Sequence, residues 1–176
     1  QAVHDQIDKF WHICLSDFFY PQAIELAEKL QQIAPMGNGD SVVYFGNSGT
    51  EAIEAAIKLA MYKTGRSKFI GFLGAFHGRT LGALSFTASK YVQRERYKAG
   101  VEVVHMPFAN PYRPLLANPL DKNYGDVVVD YLEEQLMDKV ISPEGIAGIL
   151  VEPIQGEGGY LVPAPNFLPR LREVCD

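Results

Sequence analysis

The sequence predicts an α/β fold with a mainly parallel central sheet and helices on both faces. Two observations predict it: short apolar runs alternate with longer segments of helical periodicity, and one of those runs is apolar at every position. The runs that indicate strands lie at residues 42–45, 68–73, 101–105 and 145–151. Because residues 145–151 offer no polar face, that strand should be covered on both sides, as in a parallel sheet.

Five segments around these runs carry apolar residues at helical spacing, at residues 2–10, 21–33, 51–64, 124–140 and from 167 onward. Gly65 is placed to end the third of these helices. Within that helix, Glu54 and Lys58 are spaced for an i,i+4 ion pair, so we expect Lys58 to be structural. Residues 107–123 contain four prolines and are expected to form a long surface segment.

Length and composition exclude several classes of protein. The 176 residues suffice for one domain with a sizeable core, and the net charge of -5 argues against nonspecific binding to nucleic acid or to an anionic membrane. No apolar run has the length of a membrane span. Cys14 and Cys175 fit no metal-ligand spacing, so we expect free thiols in a cytoplasmic protein. The chain starts without methionine and both termini have a helical pattern, so we expect both ends to be cut.

The turn at residues 46–51 admits two interpretations. An apolar run leads through it into an alanine-rich helix, an arrangement that presents several backbone N–H groups to one anion. Gly46 and Gly49 give the backbone freedom, and Ser48 and Thr50 add hydroxyl groups, so the first hypothesis is a phosphate site. Ser48 and Glu51 also fit a capping box, which would only satisfy the donors of the helix.

Three polar segments directly follow predicted strands, at residues 47–50, 76–80 and 152–159. The carboxyl ends of parallel strands meet at one edge of a sheet, where ligands of α/β domains gather. This coincidence favours the phosphate site over a cap alone.

The motifs NSGTEA at residues 47–52, FHGRT at 76–80 and EPIQGEGG at 152–159 together resemble class III pyridoxal-phosphate-dependent aminotransferases. That family contains the 4-aminobutyrate, ornithine and acetylornithine aminotransferases. The resemblance implies the fold type I architecture, pyridoxal 5'-phosphate as cofactor, and a chain that is part of the large cofactor-binding domain, over residues 1–176. It also implies a homodimer or a larger homo-oligomer; the aromatic residues 18–20 and the segment after Pro107 are candidate interface material.

The resemblance assigns cofactor-binding roles to five residues. Ser48, Gly49 and Thr50 would hold the cofactor phosphate, mostly through backbone N–H groups. Phe76 would stack on the pyridine ring and exclude water from it. Glu152 would lie near the same ring.

Three further assignments are less determined. His77 would contact the cofactor, or else be an ordinary packed histidine. Arg79 would grip a substrate carboxylate as a bidentate fork, or else tie down its own loop. Glu157 resembles the gate of the family, a glutamate that pairs with an arginine from a later part of the chain.

The chemistry of this cofactor also requires two residues that the sequence lacks. In the family, a Schiff-base lysine and an aspartate beside the pyridine nitrogen lie beyond the matching segment. None of the lysines between Lys9 and Lys139 occupies the matching position. We therefore expect the isolated segment to be catalytically inactive.

The resemblance implies that the parent protein transfers the ω-amino group of 4-aminobutyrate, ornithine or a similar substrate to 2-oxoglutarate. An amino-acid racemase or an aminomutase of the same fold would share all three motifs. A noncatalytic phosphate-binding or oligomerisation module would share only the layout. A nucleotide-binding P-loop is disfavoured because residues 47–50 lack the Gly-Lys-Ser/Thr of such loops.

Overall fold

The computed structural model describes residues 1–36, 41–98, 100–118 and 120–176. The chain divides into two compact units, Gln1–Phe45 and Gly46–Asp176. Across the described ranges, no helix combines the length and the apolarity that crossing a bilayer requires.

Over residues 1–36 and 41–45, the first unit contains two helices, α1 at Ala2–Lys9 and α2 at Pro21–Ile33, as the periodicity predicts. The strand predicted at residues 42–45 is wrong, because the segment has no ladder and is irregular. A strand needs a neighbour for its N–H and C=O groups, and none of the described strands pairs with this segment. Val42 is 92% exposed, so the apolar run is not covered in this unit.

The second unit is built on three parallel strands, β1 at Lys68–Phe72, β2 at Glu102–Met106 and β3 at Ile146–Ile149. These confirm the remaining strand predictions, although β3 is shorter than its apolar run. The strand order is β2-β1-β3, so the chain leaves β1 toward β2 on one side and then crosses back to place β3 on the other side. Such a reversal opens a crevice at the carboxyl ends of β1 and β3.

In the described part of this unit, four helices cover the sheet: α3 at Gly49–Thr64, α4 at Leu81–Phe86, α5 at Tyr124–Tyr131 and α6 at Phe167–Cys175. Helix α5 continues as a π-helical segment at Leu132–Met137. Helix α3 ends at Gly65, which adopts a left-handed conformation with a φ of 68°, as predicted. The sequence does not predict α4, which lies in a stretch of ambiguous pattern.

Glu54 explains why α4 forms. Its carboxylate accepts hydrogen bonds from the Ala83 backbone N–H, at 3.1 Å, and from the Thr80 hydroxyl, so a residue of α3 caps α4. The predicted ion pair between Glu54 and Lys58 is not among the ion pairs of the described ranges. The Glu54 carboxylate instead accepts the hydrogen bonds from Thr80 and Ala83.

Apolar side chains of β1 alternate between two cores. Ile70 and Phe72 face the larger core, where the rings of Phe72, Phe108 and Phe167 meet edge to face with centroids 5.4–6.2 Å apart. Phe69 faces the smaller core with Ile57 of α3 and Phe86 of α4. Helices therefore cover both faces of the sheet, as predicted.

Candidate functional site

The loops after β1 and β3 meet at the crevice, and Glu152 joins them. Its Oε2 accepts a hydrogen bond from the Phe76 backbone N–H at 3.2 Å, and its Oε1 accepts one from the Gly156 backbone N–H at 3.2 Å. The carboxylate is partly buried. Two of the three predicted segments are thus brought together by a predicted site residue.

Gln155 is a second connection between the same loops, and the sequence analysis missed it. The residue is 1% exposed, and its Nε2 donates a hydrogen bond to the Leu73 backbone oxygen at 2.9 Å. Among the described atoms its Oε1 has no partner. The signal in the sequence was a glutamine within a turn that is rich in glycine. The structure shows why glycine is needed beside it: a Cβ at Gly74 would lie 2.7 Å from the Gln155 Oε1, and a Cβ at Gly158 would lie 2.8 Å from it.

The N-terminus of α3 satisfies both interpretations of its sequence. The Ser48 hydroxyl accepts a hydrogen bond from the Glu51 N–H at 3.2 Å, and the Glu51 carboxylate accepts one from the Asn47 N–H at 2.7 Å. Ser48 therefore caps the helix, and Glu51 reaches back to the residue before the cap, a variant of the capping box. It leaves the N–H groups of Gly49 and Thr50 without an acceptor among the described residues, so the cap and an anion site are compatible.

Gly78 brings the loop after β1 against this helix end. A Cβ at Gly78 would overlap the Thr50 hydroxyl and would lie 3.2 Å from the Ala83 Cβ. The φ of Gly78 is 131°, a conformation that side chains rarely adopt. All three predicted segments therefore converge at the carboxyl edge of the sheet.

Phe76 has a fixed backbone and a ring that the cores do not use. Its N–H is held by Glu152, while its half-buried side chain is absent from both apolar clusters of the described residues. An aromatic face at this place is available to a planar ligand.

His77 is anchored and partly buried. Its backbone N–H donates to the Thr87 hydroxyl at 3.0 Å, and its ring meets Phe86 edge to face with centroids 6.1 Å apart. Burial lowers the pKa of His77, against the opposing effect of the Glu152 charge. Its Nε2 is buried without a partner in the described part, and the same holds for His105 on β2. The packing explains the ring position, and the cofactor contact stays a prediction.

The protein is expected to lose stability as the pH falls below about 6.5, the pKa of an ordinary histidine. Burial lowers the pKa of both His77 and His105. Below about pH 6.5 the unfolded chain therefore binds more protons than the folded chain, and this favours unfolding. Urea unfolding at pH 8.0, 6.5 and 5.0 measures the effect. The variant His77→Gln/His105→Gln should show a shallower decline, whereas His4→Gln at an exposed position should not. An unchanged decline in the double variant would contradict the assignment.

The exposed rim of the crevice carries the remaining predicted residues. Glu157 Oε1 lies 2.7 Å from Lys90 Nζ, and this hydrogen bond lowers the pKa of Glu157, with a smaller contribution from the Arg79 charge. Arg79 is exposed. Lys90 carries no local signal in the sequence, since its partner is 67 residues away.

Cys14 and Cys175 are free and exposed. Over the four described ranges, no three His, Cys, Asp or Glu side chains converge as metal ligands.

Comparison with known proteins agrees with this geometry. The family model described as "Aminotransferase class-III" matches residues 1–176. An alanine/serine racemase of Pyrococcus horikoshii is 34% identical over 180 residues, and an acetylornithine aminotransferase of Methanopyrus kandleri is 39% identical over 178 residues. Each alignment covers 100% of this chain and 38% of the relative.

A solved transaminase structure has the same fold. The ω-transaminase of Pseudomonas jessenii, described as a complex with PMP, superposes with a TM-score of 0.82 and 28% identity, over 99% of this chain and 39% of that one. The fold and the matches define an α/β protein of the pyridoxal-phosphate-dependent transaminase type. The chain belongs to the class III aminotransferase family, and it spans about two fifths of the length of these relatives.

Proposed function

We propose that the full-length protein is a pyridoxal-phosphate-dependent aminotransferase that moves the ω-amino group of 4-aminobutyrate, ornithine or a similar donor to 2-oxoglutarate. The observation that carries the proposal is the N-terminus of α3. There the N–H groups of Gly49 and Thr50 have no acceptor among the described residues, and the loop that holds Phe76 lies alongside. Membership of the family supports the same reaction class.

The α3 terminus has the properties of a phosphate cradle. Two N–H groups without acceptors, the positive end of the helix dipole and the Thr50 hydroxyl suit a dianionic phosphate. Ser48 contributes by fixing the first turn through its bond to Glu51. The residues present therefore fit the cofactor phosphate.

Phe76 and Glu152 would hold the ring of the cofactor. Pyridoxal phosphate, when bound, supplies an electron sink that weakens the bonds around the carbon carrying the amino group. Phe76 contributes a flat apolar face that excludes water on one side. Glu152 fixes the Phe76 backbone and places a carboxylate between the two loops. His77 follows Phe76 directly, and we propose that it contacts the cofactor through its Nε2, which is buried without a partner among the described residues.

Arg79 would recognise the carboxylate of the substrate. Its guanidinium is exposed at the rim and can form a bidentate contact with a carboxylate. Glu157 lies close enough for the Arg79 charge to act on it, so it would compete with the substrate for the same cation. Arg79 and Glu157 are therefore proposed to orient the substrate and to select it.

A racemase is the second candidate, because the Pyrococcus horikoshii relative is an alanine/serine racemase with 34% identity. A racemase needs no acceptor oxo acid, whereas an aminotransferase cannot turn over without one. Incubation of the full-length protein with the cofactor and L-alanine, without oxo acid, separates the two: accumulation of D-alanine would favour the racemase.

The cofactor assignment is tested on the full-length protein with added pyridoxal phosphate. We expect a visible absorbance band that borohydride abolishes and, with an amino donor, formation of pyridoxamine phosphate that 2-oxoglutarate reverses. Absence of a reducible chromophore would contradict the cofactor, and persistent absence of pyridoxamine phosphate would contradict the transferase.

Two matched variants test the phosphate site. Thr50→Val removes a hydroxyl from the cradle and should raise the dissociation constant of the cofactor about tenfold, the effect of one hydrogen bond to a charged group. Thr64→Val makes the same change at the other end of α3, where the hydroxyl donates to the Ala60 carbonyl at 2.7 Å, and should leave the affinity unchanged. Equal affinities for both variants would remove Thr50 from the site.

The assembly and the compartment are also proposed. Phe18 and Phe19 are 60% and 87% exposed in the first unit, and such neighbouring rings favour contact with a second copy of the protein. Together with the family resemblance, this supports a homodimer or a larger homo-oligomer. The cytoplasmic location stays a prediction from the two free cysteines.

A further inference from the structure

Helix α3 makes a continuous series of contacts along the face that begins at Thr50. Thr50, Glu54 and Ile57 follow one another at positions i, i+4 and i+7, so they lie on one face of the helix. Thr50 lies against Gly78, and Ile57 packs in the smaller core with Phe86 of α4. Along this face, α3 therefore contacts first the loop after β1 and then α4.

Glu54 makes the polar contact in the middle of this face. Its carboxylate accepts hydrogen bonds from the Thr80 hydroxyl and from the Ala83 N–H, the latter at 3.1 Å. The carboxylate also lies so close to Gly82 that a Cβ there would overlap it. Hydrogen bonds to an ionised carboxylate are stronger than those between neutral groups. Glu54 therefore holds the start of α4 at a defined position on α3.

The other end of α4 holds the loop that carries Phe76. Thr87 directly follows α4 and is fully buried. Its hydroxyl accepts a hydrogen bond from the His77 N–H at 3.0 Å and donates one to the Gly78 oxygen at 2.9 Å. The contacts thus run without a break from the first turn of α3, through Glu54 and α4, to the loop that carries Phe76.

The two ends of this series are the two places proposed to hold one cofactor. The phosphate is assigned to the N–H groups of Gly49 and Thr50, and the ring is assigned to Phe76. A ligand that binds at both places gains affinity only when their spacing matches its length, since one bound end then raises the effective concentration of the other. The position of α4 on α3 contributes to that spacing, because α4 holds the loop that carries Phe76.

We propose that Glu54 is a positioning residue that sets the distance between the phosphate cradle on α3 and the loop that carries Phe76. This inference rests on the proposed function. Glu54 acts through Thr80 and Ala83, and its effect is to let one ligand occupy the cradle and the ring position at the same time. Loss of Glu54 should therefore weaken a ligand that spans both places and spare a ligand that uses only the cradle.

The test compares pyridoxamine phosphate, which spans both places and does not react with a lysine, with inorganic phosphate, which can use only the cradle. Dissociation constants are measured on the full-length protein freed of cofactor, by calorimetry for pyridoxamine phosphate and by competition with it for inorganic phosphate. Glu54→Leu should raise the constant of pyridoxamine phosphate about tenfold and leave that of inorganic phosphate unchanged. Glu54→Gln should bind both as the wild type does, because its amide can accept from Ala83 and donate to Thr80.

Two further variants provide a milder change and a contrast. Thr80→Val removes one of the two hydrogen bonds of Glu54, and it tests the proposal even if Glu54→Leu does not fold. It should raise the constant of pyridoxamine phosphate about threefold, with no change for inorganic phosphate. Thr50→Val alters the cradle itself and should instead weaken both ligands.

Equal weakening of both ligands in Glu54→Leu would overturn the proposal, since Glu54 would then support the cradle or the fold as a whole. Unchanged binding of pyridoxamine phosphate in that variant would overturn it as well, and so would failure of inorganic phosphate to compete in the wild type. Neither ligand is turned over, so the outcome is independent of amino transfer. Failure of the cofactor assignment would instead appear in the wild type, as the absence of a chromophore that borohydride reduces.

Discussion

Replacement of Gly78 by alanine is expected to lower the free energy of unfolding by about 3 kcal/mol or more and to weaken cofactor binding. The φ of 131° strains any residue with a Cβ, and the added methyl would overlap the Thr50 hydroxyl and press on Ala83. Relief requires movement of the loop that carries Phe76 or of the first turn of α3. Urea unfolding and titration with pyridoxal phosphate measure the two effects.

The variant Gly65→Ala is a control that distinguishes backbone strain from steric overlap as the cause of the loss in Gly78→Ala. Gly65 has a φ of 68°, but a Cβ there would meet nothing within 4 Å. This variant should cost about 1 kcal/mol and leave cofactor affinity unchanged. If Gly78→Ala costs no more than Gly65→Ala, the contact between the two site segments is not close, and convergence at Gly78 is wrong.

Gln155→Glu is expected to destabilise the protein by about 3 kcal/mol at pH 8. The side chain is 1% exposed, and its Nε2 donates to the Leu73 oxygen. A carboxylate of the same shape would be buried beside that oxygen without a donor. At pH 5 the loss should be smaller, because burial favours the protonated form, whose O–H can donate to Leu73 in place of the amide. Urea unfolding at both pH values is the measurement.

Two control substitutions distinguish the effect of the buried charge from the effects of the lost hydrogen bond and of an added surface charge. Gln155→Met keeps the volume and removes only the hydrogen bond, so about 1–3 kcal/mol should be lost at either pH. Gln32→Glu, at an exposed position of α2, should be neutral. A loss for Gln155→Glu that does not depend on pH would mean that the introduced carboxyl reaches water and that the two loops are not tied as described.

Local pattern was sufficient to predict most of the helices and strands. The strands β1 to β3 and the helices α1, α2, α3, α5 and α6 follow from apolar spacing. Residues 42–45 show where this reasoning fails. An apolar run indicates that a segment is able to form a strand. Whether a neighbouring strand is present to pair with it depends on the whole fold.

Long-range partners account for what the sequence did not predict in the site. Helix α4 is capped by Glu54, which precedes Ala83 by 29 residues, and Gln155 bonds to Leu73 across 82 residues. The motifs placed Glu152 and residues 76–80 at the carboxyl edge of the sheet, because strand direction fixes that edge. Residues 47–50 follow no strand and reach this edge through the contact between Thr50 and Gly78. The pairing of Lys90 with Glu157 has no such rule, since two exposed side chains of opposite charge meet only after the backbone has brought them together.

The strand order β2-β1-β3 also determines the order in which the strands can pair while the chain is being synthesised. β1 pairs with β3, whose sequence follows it by some 80 residues, so at a synthesis rate of about 5–20 residues per second one edge of β1 waits several seconds for its neighbour. During that interval the helix end that would receive the phosphate is already made, but the loop bearing Glu152 is not. The crevice therefore cannot form before β3 and the loop that carries Glu152 have been synthesised, and a chaperone that shields the unpaired edge of β1 until then would keep the chain from pairing with another copy.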